Sequence, residues 1–479
     1  MSLKKQSISG MIWAFSELFS KQIIGFLVSV VLARLLLPAE FGLIGMLAVF
    51  ISIGTTLINS GLTSSLIRTP DANQTDFSTV FFFNLGGSIF IYAILFLVSP
   101  LIAVFFEQPI LENLAKLYGL TFIINAFSTV QNTRLTQQMN FKTQMKVALP
   151  SLLGGSLLGV VLAYNGYGVW SLVWMYLCQS LLSSIQLWVV TKWTPSWVFD
   201  YEKFKYHFKF GYKLLLSGLL DALFNNSYTI IIGKLFLPAQ LGFYSRANSV
   251  VKLPVDNIAK ALSKVTYPMF AKIKDDDERL KSVYKRILRM VTFIIAPILM
   301  LLAVLAEPIF RFLFTEKWLP SVPFFQILCV SGVMYPFHSY NLNILNVKGR
   351  SDLFLKLELY KKIITIVTLV GSIPFGIIGL LWGRVLSSFL SLFVNTYYSG
   401  RFINYSGFEQ FKDVLSILLI TIVTGTVIFG VDFFVSTYEV IDVFRIIIGL
   451  TLGPIFYIFV SQFMKISSIT EIKKIILKK

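Results

Sequence analysis

The chain has 479 residues, of which 56% are hydrophobic and 14% charged, and its formal net charge is +18. An average soluble domain carries roughly 25% charged residues, so this balance excludes a soluble globular protein of this length. Two cysteines and two histidines exclude a disulfide framework and leave thiol–metal, zinc and histidine-based chemistry poorly supplied.

The apolar residues come in long runs such as 89–106 and 363–381. Runs of about 18 or more read as membrane-spanning helices, whereas a barrel would show alternating segments of about ten residues. The fold class read from this pattern is an all-α polytopic membrane protein with about fourteen spans.

The first candidate span, 10–37, follows a basic start at Lys4 and Lys5. Glu17 and Lys21 interrupt it and no A-x-A-like site follows, so it reads as a retained span rather than a signal peptide. Their i, i+4 spacing puts both charges on one helix face, where they can pair. "LLLPAEFG" (35–42) closes this span: Pro38 is expected to stop the helix, and Gly42 to permit a tight turn. Spans at 41–66, 78–106, 114–138, 146–164 and 168–191 follow, then 209–236 with Asp221 inside it. "LFLPAQLG" (235–242) leads into 241–267, which carries Arg246 and Lys252. The stretch 269–289 is the longest polar one and reads as a partly helical linker at the membrane surface. Beyond it lie 286–313, 322–347, 359–376, 378–402 with Arg384, 412–436 and 443–464. In 322–347 the polar run His338, Asn341, Asn343 and Asn346 is expected to form interhelical hydrogen bonds, with proton or ion binding as the alternative. Cys178 and Cys329 read as apolar filler.

Basic residues gather on alternate connections: Arg68; Arg134, Lys142 and Lys146; Lys192 to Lys209; 260–289; Lys348 to Lys362; and the tail "EIKKIILKK". Cytoplasmic loops carry the Lys/Arg excess, so both termini are expected in the cytoplasm. Topology thereby accounts for the positive charge without nucleic acid.

The two Pro-Ala motifs stand 200 residues apart. Leu35, Leu37, Pro38, Ala39 and Gly42 match Leu235, Leu237, Pro238, Ala239 and Gly242, and Arg34 is matched by Lys234. "YGVWSLVW" (167–174) resembles "FGIIGLLW" (375–382) at a similar offset. The chain therefore reads as two six-helix lobes, 1–200 and 201–405, followed by 406–479 with two extra spans and a basic tail. An even span count per repeat makes the copies parallel, an arrangement of transporters with a substrate site between the halves.

Charges within spans usually face a cavity or a bundle interior. Lys21 lies as far before Pro38 as Asp221 lies before Pro238, so the two are expected at equivalent depths of one cavity. Lys21, Arg246, Lys252 and Arg384 would bias that cavity toward an anionic substrate, since Arg binds phosphate bidentately. Arg34 and Lys234 would flank its outer mouth as a basic pair, or snorkel to the interface. No P-loop, Asp-rich metal motif or catalytic loop is present in the sequence, so the reading is a transporter and not an enzyme, with no catalytic residue and no metal site assigned.

"LARLLLPAEFGLIGM", "LINSGLTSSLIR" (57–68) and "LPAQLGFYSRANSVVKLP" (237–254) carry a resemblance to a known family. The last holds a G-x-Y-x-R-A…L-P pattern in Gly242, Tyr244, Arg246, Ala247, Leu253 and Pro254. The chain resembles the Wzx-type polysaccharide flippases of the multidrug/oligosaccharidyl-lipid/polysaccharide exporter superfamily. The resemblance implies a V-shaped pair of lobes, alternating access, and an undecaprenyl-diphosphate-linked oligosaccharide as substrate. It also implies coupling to a proton or sodium gradient, for which Glu17 and Asp221 are the candidates, and no other cofactor. The bilayer, a polysaccharide polymerase and chain-length machinery would be its partners. A drug or metabolite exporter on the same fold, and a membrane enzyme or scaffold of envelope synthesis, are the alternatives; the excess of Lys and Arg over Asp and Glu in the cavity disfavours the exporter.

Overall fold

A computed structural model describes residues 3–59, 61–466 and 468–469, all helical or irregular, with no strand among them. The basic tail 471–479 lies outside the described residues. In chain order the α-helices are α1 (Leu3–Leu35), α2 (Pro38–Asn59), α3 (Leu62–Arg68), α4 (Gln74–Phe106), α5 (Ile110–Gln137), α6 (Phe141–Tyr164) and α7 (Val169–Thr191). There follow α8 (Tyr201–Asn225), α9 (Ser227–Leu235), α10 (Pro238–Lys272), α11 (Asp277–Val304), α12 (Ala306–Phe314), α13 (Ser321–Val333) and α14 (Tyr335–Val347). The last are α15 (Ser351–Ser372), α16 (Gly376–Phe402), α17 (Gly407–Ser436) and α18 (Asp442–Phe463).

Each apolar segment of the sequence coincides with a helix or a pair of helices. Among the described residues, nine stretches are long and apolar enough to cross a bilayer, and α8 with α9, bent by 41°, would make a tenth. One of the nine, Asp352–Phe402, is α15 and α16 doubled back on each other, with Thr365 Oγ1 3.2 Å from Ser387 Oγ. The expectation of fourteen crossings goes beyond this test, because α5, α10 and the pair α13–α14 are too polar to pass it. The expected linker 269–289 is corrected: α10 runs on to Lys272 and α11 starts at Asp277, capped by the Asp276 carboxylate on the Arg279 amide. Only four residues separate the two helices. Charged residues in this stretch favour helix extension because Lys, Glu and Arg are good helix formers and water solvates the ends.

Exposure runs opposite to that of a soluble protein. Leu97, Val104, Val367, Phe433 and Phe459 face outward, while small and polar residues sit between helices. On α6 the buried ladder Ser151, Gly155, Gly159 and Ala163 lets α7 approach closely; a Cβ on Gly155 would stand 2.3 Å from Gln179 Cγ. Such small-residue seams are how helices pack when lipid removes the hydrophobic incentive.

The chain divides into two compact units, Met1–Gly242 and Phe243–Lys479. In the first, α4 and α5, and α6 and α7, form antiparallel pairs, α1 lies against α6, and α8 packs on α2, α3 and α4. In the second, α11 packs on α17 and α13, α16 on α13, α14 and α15, and α18 on α17 and α12.

The repeated motif is resolved within the first unit. Pro38 and Pro238 open α2 and α10 rather than close the helices before them, the position where proline's missing N–H costs nothing. The Leu37 amide donates to Glu40 Oε2 at 2.7 Å, capping α2. Gly42 and Gly242 lie inside these helices and neither has a positive φ, which corrects the tight-turn expectation. Their role is close approach. A Cβ on Gly42 would fall 1.8 Å from the Pro238 carbonyl oxygen, and a Cβ on Gly242 would fall 1.9 Å from the Pro38 carbonyl oxygen. The two copies of the motif cross each other backbone to backbone.

Candidate substrate site

A cavity of about 580 Å³ lies within the first unit, walled by α1, α2, α3, α5, α6 and α7. Its volume falls inside the range of roughly 300–1,000 Å³ that ligand pockets occupy. One face of α5 supplies Asn125, Ser128, Thr129, Asn132, Thr133 and Thr136, a stripe at helical spacing. From α2 and α3 come Thr55, Asn59 and Thr63, from α6 Gln144, from α7 Ser183, and from α1 Glu17 and Lys21.

Many of these groups are already engaged as donors. Ser128 and Thr129 donate to the Asn125 carbonyl at 3.0 and 2.8 Å, Thr133 to that of Thr129 at 2.8 Å, and Thr136 to that of Asn132 at 3.0 Å. Gln144 Nε2 donates to Asn132 Oδ1 at 2.9 Å and Thr136 Oγ1 at 2.8 Å. Lys21 Nζ donates to Glu17 Oε1 at 2.5 Å, so the expected i, i+4 pair is present and lies on the cavity wall.

The other cations singled out from the sequence lie in the second unit. Arg246 is buried, its guanidinium 4.9 Å from the ring centre of Phe314 and 5.0 Å from that of Trp318. Arg384 Nη1 donates to the Tyr244 hydroxyl at 2.6 Å. Lys252 is exposed and has Arg384 and Asp256 as its charged neighbours. Arg384 on Tyr244 and Lys252 beside Asp256 are thus neighbours, Arg246 is packed against Phe314 and Trp318, and Lys21 stands with Glu17 in the first unit. Asp221 is exposed on α8, shortly before its bend into α9; α1 has no such bend, so the two repeats differ here.

Arg34 is exposed at the end of α1. Lys234 pairs with Glu107 at 2.8 Å and lies 5.5 Å from the Phe105 ring centre. That ammonium holds the Glu107 carboxyl below the usual carboxylate range. Because Glu107 is open to water, such a pair adds little stability. Lys234→Ala is therefore expected to leave the melting temperature in detergent unchanged, so that any loss of transport it causes, alone or with Arg34→Ala, reports on function.

The sequence reading missed a buried network. His207 Nε2 lies 3.1 Å from Asp76 Oδ1, His207 Nδ1 lies 2.8 Å from Ser65 Oγ, and Lys203 Nζ donates to Asp76 Oδ2 at 3.1 Å. Serine, histidine and carboxylate in a row have the connectivity of a hydrolase triad. Ser65, Asp76 and His207 are all almost fully buried, so no substrate can reach them. The network is a polar tie holding α8 to α3 and α4.

In the second unit, the expectation for α14 is met by Asn341. Its Nδ2 donates to Gln410 Oε1 at 2.9 Å, and its Oδ1 accepts from Ser399 at 2.6 Å. His338 bridges Ser388 at 2.9 Å and Asn395 at 3.0 Å. No group of three or more His, Cys, Asp or Glu side chains able to hold a metal occurs among the described residues.

A family model described as polysaccharide biosynthesis protein matches residues 31–323, which is more than half of the chain. The chain belongs to this polysaccharide biosynthesis protein family. Proteins of similar sequence include the teichuronic acid biosynthesis protein TuaB of Bacillus subtilis, 25% identical over 464 residues, covering 96% of this chain and 95% of that one. The lipopolysaccharide biosynthesis protein WzxC of Escherichia coli is 26% identical over 401 residues, covering 82% of each chain. The resemblance to Wzx-type exporters is thus borne out across the sequence. Among solved structures, the lipid II flippase MurJ in an inward closed conformation shares the fold with a TM-score of 0.78 at 13% identity, covering 95% of this chain and 99% of that one. An inward-facing multidrug resistance MATE transporter of the MOP superfamily shares it with a TM-score of 0.60 at 18% identity, covering 80% and 94%. This family member is a multi-pass membrane protein with the fold of a transporter, in keeping with the reading that it is not an enzyme.

Proposed function

We propose that the protein is a flippase that carries undecaprenyl-diphosphate-linked oligosaccharide units from the cytoplasmic to the outer leaflet for cell-surface polysaccharide synthesis. The observation that carries this reading is the large cavity lined by hydroxyl and amide side chains, in a helical fold whose relatives are polysaccharide biosynthesis proteins. The oligosaccharide would occupy that cavity. Its diphosphate would be held by Arg246, Lys252 and Arg384, where Arg384 has a positioning partner in Tyr244. The lipid would remain in the bilayer.

The lobes 1–200 and 201–405 would alternate access to the two faces of the inner membrane, with both termini in the cytoplasm. A proton or sodium gradient would drive the cycle through Glu17 and Asp221, and a polymerase with its chain-length machinery would receive the product. The same fold in a MATE transporter keeps a drug or metabolite exporter as the second reading. A lining of hydroxyl and amide side chains whose two charges, Glu17 and Lys21, are paired with each other favours a glycan over the cationic, apolar compounds such exporters carry.

The test is purified protein in liposomes with a fluorescent undecaprenyl-diphosphate-linked oligosaccharide supplied on one face. Accelerated transfer supports the reading, and no acceleration with or without an ion gradient overturns it. Arg246→Ala and Arg384→Ala are each expected to lower the transfer rate about tenfold, the equivalent of roughly 1.4 kcal/mol. Wild-type rates in both would remove the diphosphate assignment.

A further inference from the structure

We propose that the first half of α8 is a binding surface for anionic phospholipid headgroups, formed by Lys205, Lys209 and Lys213. Helical spacing sorts the residues of α8 into opposite faces. His207, Gly211 and Ala222 are buried and mark the packed face; His207 meets Ser65 and Asp76 there. About half a turn away lie Lys205, Lys209, Lys213, Leu216, Leu220 and Leu223, all exposed. This outer face changes character along its length. Its later part is leucine, and exposed leucines at helical spacing on a membrane span are the side turned to acyl chains. Its earlier part is lysine, over a rise of about 12 Å. A phospholipid has the same order along its length, apolar chains and then a charged head.

Charge and aromatic residues point the same way. Lys203, on another face, is bound to Asp76. Lys205, Lys209 and Lys213 have no ion pair or hydrogen bond among the described residues. Glu202, the carboxylate on their face, stands in the first turn, where the helix N-terminus suits it, so the stripe keeps an excess of positive charge. A lysine stem can lie along apolar surface while its ammonium reaches the headgroups. Tyr201 and Tyr212 are exposed on the same face, and Trp197, just before the helix, is 93% exposed. Trp and Tyr gather at the boundary between membrane and water, which is the depth of the lipid phosphates. Basic clusters beside a span recruit anionic lipid. Three ammonium groups spread along the helix suit several neighbouring headgroups of the bilayer better than one diphosphate.

The experiment titrates purified protein in neutral detergent with fluorescent phosphatidylglycerol, with no oligosaccharide present, so its outcome is independent of the flippase reading. Unlabelled phosphatidylglycerol, phosphatidylcholine of the same chains, undecaprenyl phosphate and glycerol phosphate serve as competitors. Wild type is expected to bind phosphatidylglycerol, to release it at high salt, and to melt at a higher temperature with it than with phosphatidylcholine. The triple variant Lys205→Gln, Lys209→Gln, Lys213→Gln changes only exposed side chains. It should melt like wild type without lipid and bind phosphatidylglycerol at least about tenfold more weakly. A control, Lys272→Gln, Lys274→Gln, Lys412→Gln, removes the same charge at exposed lysines elsewhere and should bind like wild type. Undiminished binding by the triple variant would overturn the proposal, as would an equal loss in the control. So would competition by phosphatidylcholine, undecaprenyl phosphate or glycerol phosphate as strong as that by phosphatidylglycerol itself.

Discussion

Replacing Gly42 or Gly242 with alanine is expected to cause one of the largest losses of any single methyl group added to this protein. The added carbon would fall within 2 Å of a backbone carbonyl oxygen, 1.8 Å at Gly42 and 1.9 Å at Gly242. No rotamer can relieve it, because neither partner is a side chain. The crossing of α2 and α10 must open, with the overpacking cost of about 1–3 kcal/mol or more that core insertions produce. Each variant should unfold at a lower temperature in detergent than wild type, and by similar amounts, since the two contacts mirror each other. The double variant should lose less than the sum, because a crossing opened once need not be opened twice. Wild-type melting in both single variants would show that the close approach is absent from the protein in solution.

The second large effect is expected at Arg445. Its Nε and Nη2 bind both oxygens of Asp432, at 3.0 and 2.8 Å, and both side chains are buried. Nη1 reaches Asp442 at 3.3 Å, which also accepts from Arg311, and Arg311 pairs with Glu307 at 2.6 Å. This cluster fastens α12, α17 and α18 together at one end of the second unit. Arg445→Ala would strand the Asp432 carboxylate among helices, and removing one partner of a buried pair costs about 3–5 kcal/mol. Arg445→Met with Asp432→Leu removes both charges and is expected to recover most of that loss. Thermal unfolding of the three proteins decides it: if Arg445→Ala melts like wild type, the pair is not a structural fastening.

Much of the helical architecture was legible because lipid imposes a simple rule, that every backbone group must be satisfied within its own segment. Long apolar runs therefore had to be helices. The breaks within them were harder to read. Pro336 does announce the start of α14, since proline suits the first turn of a helix, where its missing N–H has no partner to lose, but the breaks at Leu305 and Asn226 carry no such mark. In the cavity, Glu17 and Lys21 were legible because helix periodicity alone brings them together. The Asp76 network was not, because its members lie as far as 142 residues apart and only tertiary packing brings them together. The Arg445 pair was not legible either, because its carboxylate partner lies across the turn between α17 and α18. The glycines of the repeated motif were seen, but their purpose was misread. A turn and a close crossing call for the same residue, and only the neighbouring backbone tells them apart.

The mirrored crossing of Pro38–Gly42 and Pro238–Gly242 also speaks to ancestry. When residue i of one copy meets residue j of the other, and j meets i in return, the contact is the isologous kind that builds two-fold dimers. A protein half this long could have made the same contact with a second molecule of itself. Once the copies are joined, a change on one side of the joint can only be accommodated by the other, so these two short stretches are bound to evolve as one site.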